Sequence, residues 1–417
     1  MKILVTGAKG FVGKNLIAEL RNQGYTDLFE FDIDSNQTLL NEYSRDCEFI
    51  FHLAGVNRPE NPKEFMTGNF GFTSRLLESL RKHNNKAPIL ITSSIQAELD
   101  NPYGKSKKAG EDLLFQYSQE ANVPVYIYRL PNVFGKGCRP NYNSAVATFC
   151  NNIANDLPIQ VNDPNVEMSL VYIDDVIKSF IDKLKYIEKA DSSFRYASFG
   201  MTSSCREHGG EKEAVASPPL PSLLSQNEDC HSERSEESLN PFESVTPIHT
   251  IKLGEIVYLL YQFKESRLNL QVPDMSDAFT KKLYSTYLSY LPKEKFSYPL
   301  KMNVDQRGSF TEFLKSPDRG QVSVNISKPG IVKGNHWHHT KNEKFLVVSG
   351  KGVIRFRKID SNEIIEYYVS SDKLEVVDIP VGYTHNIENV GDTDMVTIMW
   401  VNEIFDKEKP DIFFLEV

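Results

Sequence analysis

The chain of 417 residues has few cysteines, no long apolar run and no concentration of positive charge. Its five cysteines are scattered, odd in number and without C-x-x-C spacing, which excludes a disulfide framework and favours a reduced, cytoplasmic protein. No apolar run approaches the roughly 20 residues that span a bilayer, so we expect neither a membrane span nor a signal peptide. The net charge of −9, with no basic cluster, argues against a nucleic-acid partner.

Short apolar runs alternate with amphipathic stretches over the first 197 residues. This alternation predicts a Rossmann-like, doubly wound α/β domain in which helices cover both faces of a parallel sheet. The predicted strands are Ile3–Thr6, Leu28–Ile33, Phe49–Leu53, Pro88–Ser93 and Val125–Arg129, and the predicted helices are Phe11–Asn22, Thr73–Lys82 and Lys107–Glu120.

The segment 201–244 is rich in Ser, Pro and Glu and has no periodicity. It cannot bury enough apolar surface to offset the entropy of ordering it, so we predict a disordered insertion. Whether this insertion impairs folding is an open alternative, although a loop position favours tolerance. Helical periodicity returns at Ile248–Glu265 and at Asp277–Leu291.

Beyond about residue 300 the pattern changes to short alternating strands that are punctuated by Gly, Pro and Asn, which predicts an all-β barrel. The predicted strands are Val322–Ile326, Glu343–Val348, Gly352–Arg357, Glu363–Val369, Leu374–Asp378 and Met395–Val401. We therefore expect two domains, residues 1–300 and residues 301–417.

Three glycines with the spacing G-x-x-G-x-x-G follow the first predicted strand and open the first predicted helix. Gly7 permits a tight turn, Gly10 lets the backbone approach a pyrophosphate, and Gly13 permits close packing of the helix on the sheet. The helix N-terminus favours the anion. The pattern predicts a dinucleotide site at Gly7, Gly10, Phe11, Val12 and Gly13; the alternative is a structural turn.

A carboxylate ends the second predicted strand. Asp32 lies 19 residues after Gly13, where it would accept hydrogen bonds from the adenosine ribose, and Asp34 adds negative charge beside it. Together they favour NAD over NADP, because a 2′-phosphate would be repelled and no arginine stands beside them. The alternative is a solvated strand end.

Tyr103 and Lys107 have Y-x-x-x-K spacing, which places both on one helical face. A lysine ammonium beside a phenol lowers the phenol's pKa, so Tyr103 could exchange a proton with a carbinol oxygen. Ser94, at the end of a predicted strand, could hold that oxygen in place. The pattern is common on exposed helices, and the preceding glycine turn is what favours function.

The order of several motifs resembles that of the extended short-chain dehydrogenases/reductases. They are T-G-A-K-G-F-V-G, H-L-A-G at His52–Gly55, Asn69, Y-G-K-S-K, R-L-P-N-V-F-G at Arg129–Gly135 and V-Y-I-D-D-V at Val171–Val176. The resemblance implies a doubly wound fold, NAD(P)H as cofactor and a nucleotide-activated sugar as substrate.

By the same resemblance Ser94, Tyr103 and Lys107 are catalytic, and Asn69 supports the lysine through water. The further cofactor contacts that it implies are Leu53, Ala54, Gly55, Asn69, Tyr103 and Lys107, and the substrate contacts are Asn132, Arg139 and Asn143. Ser94 and Tyr103 are only nine residues apart, a shorter interval than is usual in the family. Ser93 therefore remains the alternative serine.

Four residues in the predicted barrel have metal-ligand chemistry. His336 and His338, at i and i+2 of a strand, face the same way, and Glu343 and His385 complete a three-nitrogen, one-oxygen set that suits Zn, Fe, Mn or Ni. The surrounding residues resemble the two cupin motifs, although Leu374 replaces the leading glycine of the second. We expect a divalent metal, with zinc favoured; some cupins lack metal and use these histidines as bases or for packing.

A reductase followed by a cupin resembles the bifunctional enzymes of capsular-polysaccharide synthesis, and the likeness covers nearly everything except about 201–244. It implies that the cupin half epimerises a UDP-2-acetamido-2,6-dideoxy-4-hexulose at C3 and that the reductase half reduces the ketone at C4. The product would be UDP-2-acetamido-2,6-dideoxy-L-talose, a precursor of UDP-N-acetyl-L-fucosamine. A homodimer or higher homo-oligomer is expected.

Two alternatives stay open. The first is a sugar-nucleotide reductase or 4-epimerase whose cupin is not catalytic and serves dimerisation. The second is an NAD(P)-binding sensor without turnover, against which the intact Tyr103 and Lys107 pair argues.

Overall fold

The computed structural model describes residues 1–199 and 242–417. The chain divides into two units, the first made of Met1–Val133 and Ser169–Ile248 and the second of Phe134–Met168 and His249–Val417. The predicted insertion lies outside the described residues except at its C-terminal end, where Phe242–Glu243 forms a strand. There the prediction of disorder was wrong, because Phe242 packs against Phe115 and under the guanidinium of Arg129.

The strands and helices follow one another in an order that changes character near residue 300. The strands up to that point are β1 (Ile3–Thr6), β2 (Leu28–Phe31), β3 (Phe49–His52), β4 (Ile89–Ser94), β5 (Val125–Leu130), β6 (Asn132–Phe134), β7 (Glu167–Tyr172), β8 (Phe242–Glu243) and β9 (His249–Lys252). The helices are α1 (Phe11–Asn22), α2 (Gln37–Asp46), α3 (Lys63–Phe65), α4 (Phe72–Lys82), α5 (Pro102–Ala121), α6 (Ala145–Ala154), α7 (Ile173–Phe199), α8 (Leu253–Asn269) and α9 (Ala278–Leu288), with a π-helical turn at Met66–Gly71 and 3₁₀ turns at Ile95–Glu98 and Lys293–Lys295.

The first unit contains a parallel sheet with strand order β2-β1-β3-β4-β5-β8. Along β1, Ile3 and Val5 join the apolar core on the α1 and α7 face, whereas Leu4 joins the core on the α2, α4 and α5 face. Burial on both faces explains why Ile3, Leu4 and Val5 are all apolar. The strand order reverses direction between β1 and β3, which is where doubly wound sheets bind ligands. The predicted α/β fold is confirmed.

The predicted starts of two helices were wrong by five residues each. Helix α5 begins at Pro102, five residues before Lys107, because the Asn101 side chain caps it by accepting from Gly104 N at 2.8 Å. Residues His249–Lys252, which we predicted as helix, form the strand β9, and α8 begins only at Leu253.

The second unit contains the barrel. Its strands are β10 (Met302–Asp305), β11 (Gly308–Ser316), β12 (Gly320–Ser327), β13 (Val332–Trp337), β14 (Glu343–Ser349), β15 (Lys351–Lys358), β16 (Ile364–Ser370), β17 (Val376–Ile379), β18 (Tyr383–Asn389), β19 (Met395–Val401) and β20 (Phe413–Phe414). They form two antiparallel sheets, β10-β11-β12-β19-β14-β17 and β16-β15-β18-β13-β20. Phe345, Ile354, Phe356, Ile379 and Ile387 contribute to the apolar core of this barrel, and the all-β prediction is confirmed.

The second unit also takes in helices from before residue 300. The backbone of Leu270 accepts from Lys315 N, and Lys315 O accepts from Val272 N, both at 2.8 Å. These bonds attach the chain after α8 to β11, although the strand periodicity alone predicts a boundary near residue 300. Within the described residues no helix is both long enough and apolar enough to cross a bilayer.

A buried ion pair generates a stability prediction for the first unit. Glu111 is fully buried and accepts from Arg129 Nε at 2.9 Å, from Arg129 Nη2 at 2.6 Å and from Ser93 Oγ at 2.5 Å. We expect Arg129→Met to lower the free energy of unfolding by about 3–5 kcal/mol, because an uncompensated carboxylate would remain buried.

Urea denaturation followed by circular dichroism measures this loss. Lys178→Met is the matched control, because Lys178 pairs with Asp182 on the surface of α7 and such a pair contributes about 0–1 kcal/mol. Equal effects of the two substitutions would contradict the prediction.

Candidate active sites

The glycine turn lies against the end of β3. Gly7 has φ +69°, and a Cβ there would approach Ala54 N to 2.8 Å. A Cβ on Gly13 would overlap the carbonyl oxygen of Gly7 and come within 2.9 Å of Ala8 Cα. Gly10 is the N-cap of α1 and provides no side-chain cap, so the first amides of the helix are left for an anion. The turn has the geometry of a pyrophosphate cradle.

Asp32 lies beside this turn and accepts from Lys9 N at 2.6 Å and from Ile33 N at 2.8 Å. The Lys9 side chain pairs with Asp34 on the surface. We did not anticipate Lys9, although its place between Gly7 and Gly10 was a signal. A cation thus accompanies the two carboxylates that favour NAD.

His52, which sequence reasoning noticed only as part of a motif, is fully buried between two hydroxyls. Its Nδ1 lies 2.8 Å from Thr6 Oγ1, and its Nε2 lies 2.9 Å from Thr73 Oγ1. Thr73 donates to Asn69 O at 2.8 Å, so it must accept from the imidazole, which fixes the proton on Nε2. Nδ1 then accepts from Thr6, whose oxygen accepts from Ala54 N at 3.3 Å.

This chain of hydrogen bonds connects the glycine turn with Asn69. Burial lowers the pKa of His52 to about 3, so the ring is neutral under ordinary conditions. Its two nitrogens are both satisfied, and we interpret His52 as a positioning residue.

The three predicted catalytic side chains are brought together. The Ser94 hydroxyl lies close enough to Tyr103 to lower the pKa of its phenol, and Lys107 Nζ lies 5.9 Å from the centre of the Tyr103 ring. Ser93 instead donates to Glu111, so Ser94 is the serine that faces the phenol. All three stand at the carboxyl end of β4 or on the first turns of α5.

The electrostatic prediction for the phenol was wrong in sign. Burial raises the pKa of Tyr103, and the nearby Ser94 hydroxyl only partly opposes this. Burial also lowers the pKa of Lys107 to about 8. The ammonium of Lys107 donates to Thr92 O at 3.3 Å. The phenol is therefore a protonated group, suited to donating a proton.

Asn69 lies in the π-helical turn, an irregularity that is frequent at functional sites. Its side chain accepts from Val56 N at 2.8 Å and donates to Ser106 Oγ at 2.9 Å. A Cβ added to Gly55 would lie 3.0 Å from Asn69 Oδ1 and 3.1 Å from Lys107 Nζ. The carboxamide and the ammonium thus converge on the same backbone position, and Leu53 and Ala54 precede it.

The three predicted substrate residues are exposed. Asn132 begins β6 and belongs to the first unit, whereas Arg139 and Asn143 belong to the second. The Arg139 guanidinium lies 5.2 Å from the centre of the Tyr142 ring. Their role in substrate binding stays a prediction.

In the barrel, His336, His338, Glu343 and His385 point at one another. One ligand atom from each lies within 4.8 Å of the other three. His338 Nε2, Glu343 Oε2 and both ring nitrogens of His385 are buried without a hydrogen bond among the described residues, which is costly unless something binds them. The two Nε2 atoms lie 3.6 and 3.1 Å from Glu343 Oε2, as groups that face a shared ion would. Three imidazole nitrogens and one carboxylate fit a divalent metal such as zinc.

The charges of His336 and Glu343 suit a cation. Burial lowers the pKa of His336 to about 4, so its ring is neutral. Although burial raises the pKa of Glu343, the contacts with His338 and His385 hold it well below its usual range. The carboxylate is therefore ionised.

Asp411, near the C-terminus, positions His338 and was missed by sequence reasoning. Its carbonyl lies 2.5 Å from His338 Nδ1, which fixes the proton there and leaves Nε2 free to ligate. Its carboxylate accepts from the amides of His339, Thr340 and Lys341 at 3.0, 2.9 and 3.1 Å. No motif marks a residue that acts over 73 positions of sequence.

Comparisons with known proteins agree with this geometry. Residues 3–193 match the NAD dependent epimerase/dehydratase family, and residues 303–413 match the polysaccharide biosynthesis C-terminal domain. The UDP-2-acetamido-2,6-beta-L-arabino-hexul-4-ose reductase of Pseudomonas aeruginosa is 43% identical over 417 residues, which is 100% of this chain and 99% of that protein.

More distant and structural relatives follow the same pattern. The dTDP-4-dehydro-6-deoxyglucose reductase of Escherichia coli is 25% identical over 235 residues, 44% of this chain and 72% of that protein. The crystal structure of the capsular polysaccharide assembling protein CapF from Staphylococcus aureus has a TM-score of 0.82 at 54% identity and covers 100% of both chains. The resemblance drawn from the motifs is confirmed.

The hydrogen bonds of His52 generate the prediction for the cofactor site. We expect His52→Leu to lower the free energy of unfolding by about 1–3 kcal/mol and to weaken NAD(P)H binding, because two buried hydroxyls lose their partner. His52→Gln keeps an acceptor and a donor and should recover part of both losses. Urea denaturation and a titration of NAD(P)H fluorescence measure the two effects.

His83→Leu is the matched control, because that imidazole lies at the end of α4 and contacts only Asn41 among the hydrogen-bond partners described for it. Full cofactor affinity in His52→Leu would show that the hydrogen-bond chain does not position the site.

Proposed function

We propose a function from the premise that this chain belongs to the family of the UDP-2-acetamido-2,6-beta-L-arabino-hexul-4-ose reductase. The chain reduces the C4 ketone of a UDP-2-acetamido-2,6-dideoxy-4-hexulose with NAD(P)H. The observation that carries the proposal is the convergence of Ser94, Tyr103 and Lys107 beside the glycine turn. The capsular relative with full coverage supports a role in capsule or O-antigen synthesis.

In the proposed reduction each side chain has one task. Ser94 holds the C4 oxygen by a hydrogen bond, and Tyr103 delivers its hydroxyl proton to that oxygen as the carbonyl becomes an alcohol. Lys107 stabilises the resulting phenolate with its ammonium and helps to bind the cofactor. Bound NAD(P)H supplies the hydride that C4 receives. The raised pKa of Tyr103 agrees with a proton donor, since the phenol is protonated before hydride arrives.

We further propose that the barrel epimerises the same sugar at C3, so that the product is UDP-2-acetamido-2,6-dideoxy-L-talose. A C–H bond next to a ketone is acidic enough for a positioned base to break it. The barrel has a cavity of about 820 Å³ that His336, His338, Glu343 and His385 line, which is large enough for a sugar. These four residues would hold zinc, and a metal there supplies Lewis acidity toward an oxyanion.

Two substitutions should separate the two activities. We expect Tyr103→Phe to slow NAD(P)H oxidation by about 10²–10⁴-fold while C3 hydrogen exchange continues. We expect His338→Gln to abolish C3 exchange and zinc binding, while reduction of a substrate already inverted at C3 continues. Purified protein is incubated in D₂O with the UDP-4-keto sugar, with and without NAD(P)H, and followed by NMR and by absorbance at 340 nm.

Each substitution has a neighbour as control. Tyr186→Phe changes an exposed phenol, and His339→Gln changes an exposed imidazole next to the ligand set. If wild-type protein shows no exchange without cofactor and His338→Gln gives unchanged product stereochemistry, the barrel is a non-catalytic module. If Tyr103→Phe turns over normally, the reductase assignment is wrong.

The lowered pKa of Lys107 predicts a pH dependence of cofactor binding. The ammonium is present below pH 8 and is lost as the pH rises through about 8, so the affinity for anionic NAD(P)H should fall above that pH. Fluorescence titration between pH 6 and pH 10 measures it.

Lys107→Arg stays charged, so it should keep its affinity for NAD(P)H at high pH. Lys107→Gln should bind NAD(P)H weakly at every pH. Lys108→Gln is the control, because Lys108 pairs with Asp112 on the exposed side of the same helix. A wild-type profile that is flat through pH 8 would contradict the prediction.

A further inference from the structure

Lys333 lines the barrel cavity on the same wall as the predicted metal ligands. On strand β13, Lys333 stands opposite Ile387 of β18, and His336 stands opposite His385. An uninterrupted strand would place residues 333 and 336 on opposite faces. The register shift between Gly334 and His336 leaves Asn335 as an extra residue with φ +60°, and this bulge turns both side chains inward.

The amine of Lys333 is held by two neutral acceptors. Its Nζ donates to Asn325 Oδ1 and to Ile326 O, both at 2.8 Å. The amide nitrogen of Asn325 donates to Ser327 Oγ at 3.2 Å, which keeps Oδ1 turned toward the lysine. A tetrahedral nitrogen bonded to Cε and to two acceptors has one position left. That position is an N–H in the ammonium and a lone pair in the amine.

The two charges near Lys333, those of Asp305 and Arg307, shift its pKa in opposite directions. Burial lowers the pKa of Lys333; the charge of Asp305 raises it and that of Arg307 lowers it. Asp305 is itself committed to Arg307, whose Nη2 lies 2.6 Å and whose backbone N lies 2.8 Å from the carboxylate. By contrast Lys341, another lysine of the cavity, donates to Pro410 O at 2.7 Å and is almost completely buried.

We propose that Lys333 is the base that removes the proton from C3 of the UDP-4-keto sugar, an assignment that rests on the epimerisation proposed above. The neutral amine forms a new N–H bond as the C3–H bond breaks, and the electron pair becomes the C3–C4 double bond of an enolate with its charge on O4. Water protonates C3 from the opposite face, and the hydroxide that remains recovers a proton from the ammonium. Atoms and charge balance, and no oxidant is needed.

The decisive experiment compares Lys333→Ala and Lys333→Arg in the full-length, zinc-loaded protein. Both should slow C3 deuterium exchange by about 10²-fold or more, since a guanidinium keeps the charge and cannot accept a proton. Both should still bind zinc and reduce a substrate that is already inverted at C3. Added primary alkylamines should restore exchange to Lys333→Ala, and a misfolded cavity would not give this rescue.

Lys344→Ala is the matched control, because Lys344 lies on β14, the next strand along the chain and part of the other sheet, and pairs with Asp378 on the surface. If C3 deuterium exchange survives in Lys333→Arg, Lys333 is not the base and its role is purely electrostatic. Normal exchange in Lys333→Ala would overturn it outright. Absence of exchange in wild-type protein, in contrast, would refute epimerisation by the barrel itself, so the two failures are distinguishable.

Discussion

The close approach of the glycine turn to the end of β3 is the constraint on which the nucleotide site depends. Gly7 comes so near to Ala54 that no side chain fits between them. This proximity lets Thr6 accept from Ala54 N and face His52, and His52 in turn reaches the turn that contains Asn69. A backbone contact between the glycine turn and the end of β3 thus sets the positions of groups that come from three separate segments of sequence.

The two buried histidine environments differ in how their nitrogens are satisfied. His52 has a hydroxyl on each nitrogen and a pKa lowered to about 3, so it has no remaining capacity for a ligand. His338 has one nitrogen fixed by Asp411; its other nitrogen and both nitrogens of His385 have no hydrogen-bond partner among the described residues, although each Nε2 lies within 4 Å of the Glu343 carboxylate. An unsatisfied buried nitrogen costs stability unless an ion or substrate binds it. Hydrogen bonding of both ring nitrogens, rather than burial of the ring, distinguishes the structural imidazole of His52 from the candidate ligands.

Much of the first unit was predictable because its signals are local. Strand β1 and helix α1 have the predicted ends, since the apolar run and the glycine spacing mark both. The start of α5 was missed because a single side chain, Asn101, decides it. The segment His249–Lys252 is too short for periodicity to distinguish strand from helix.

The same distinction between local and distant signals applies to the site residues. Sequence motifs identify side chains that are near one another along the chain, such as Tyr103 and Lys107. They could not identify Asp411, which acts across 73 residues, or the inward position of Lys333, which depends on the bulge at Asn335. The sign of the Tyr103 pKa shift also required the structure, because it depends on how much solvent the fold removes.

The chemistry of the two proposed reactions fixes their order. Exchange at C3 requires the ketone at C4, because only the carbonyl makes that hydrogen acidic and stabilises the enolate. Reduction removes the carbonyl and so ends any further inversion at C3. If Tyr103 acted before the barrel, the sugar would be trapped with the wrong configuration at C3. The stereochemical purity of the product therefore depends on the rate of epimerisation relative to the rate of reduction. Because one chain contains both the reductase and the barrel, the two activities are always present in equal amounts.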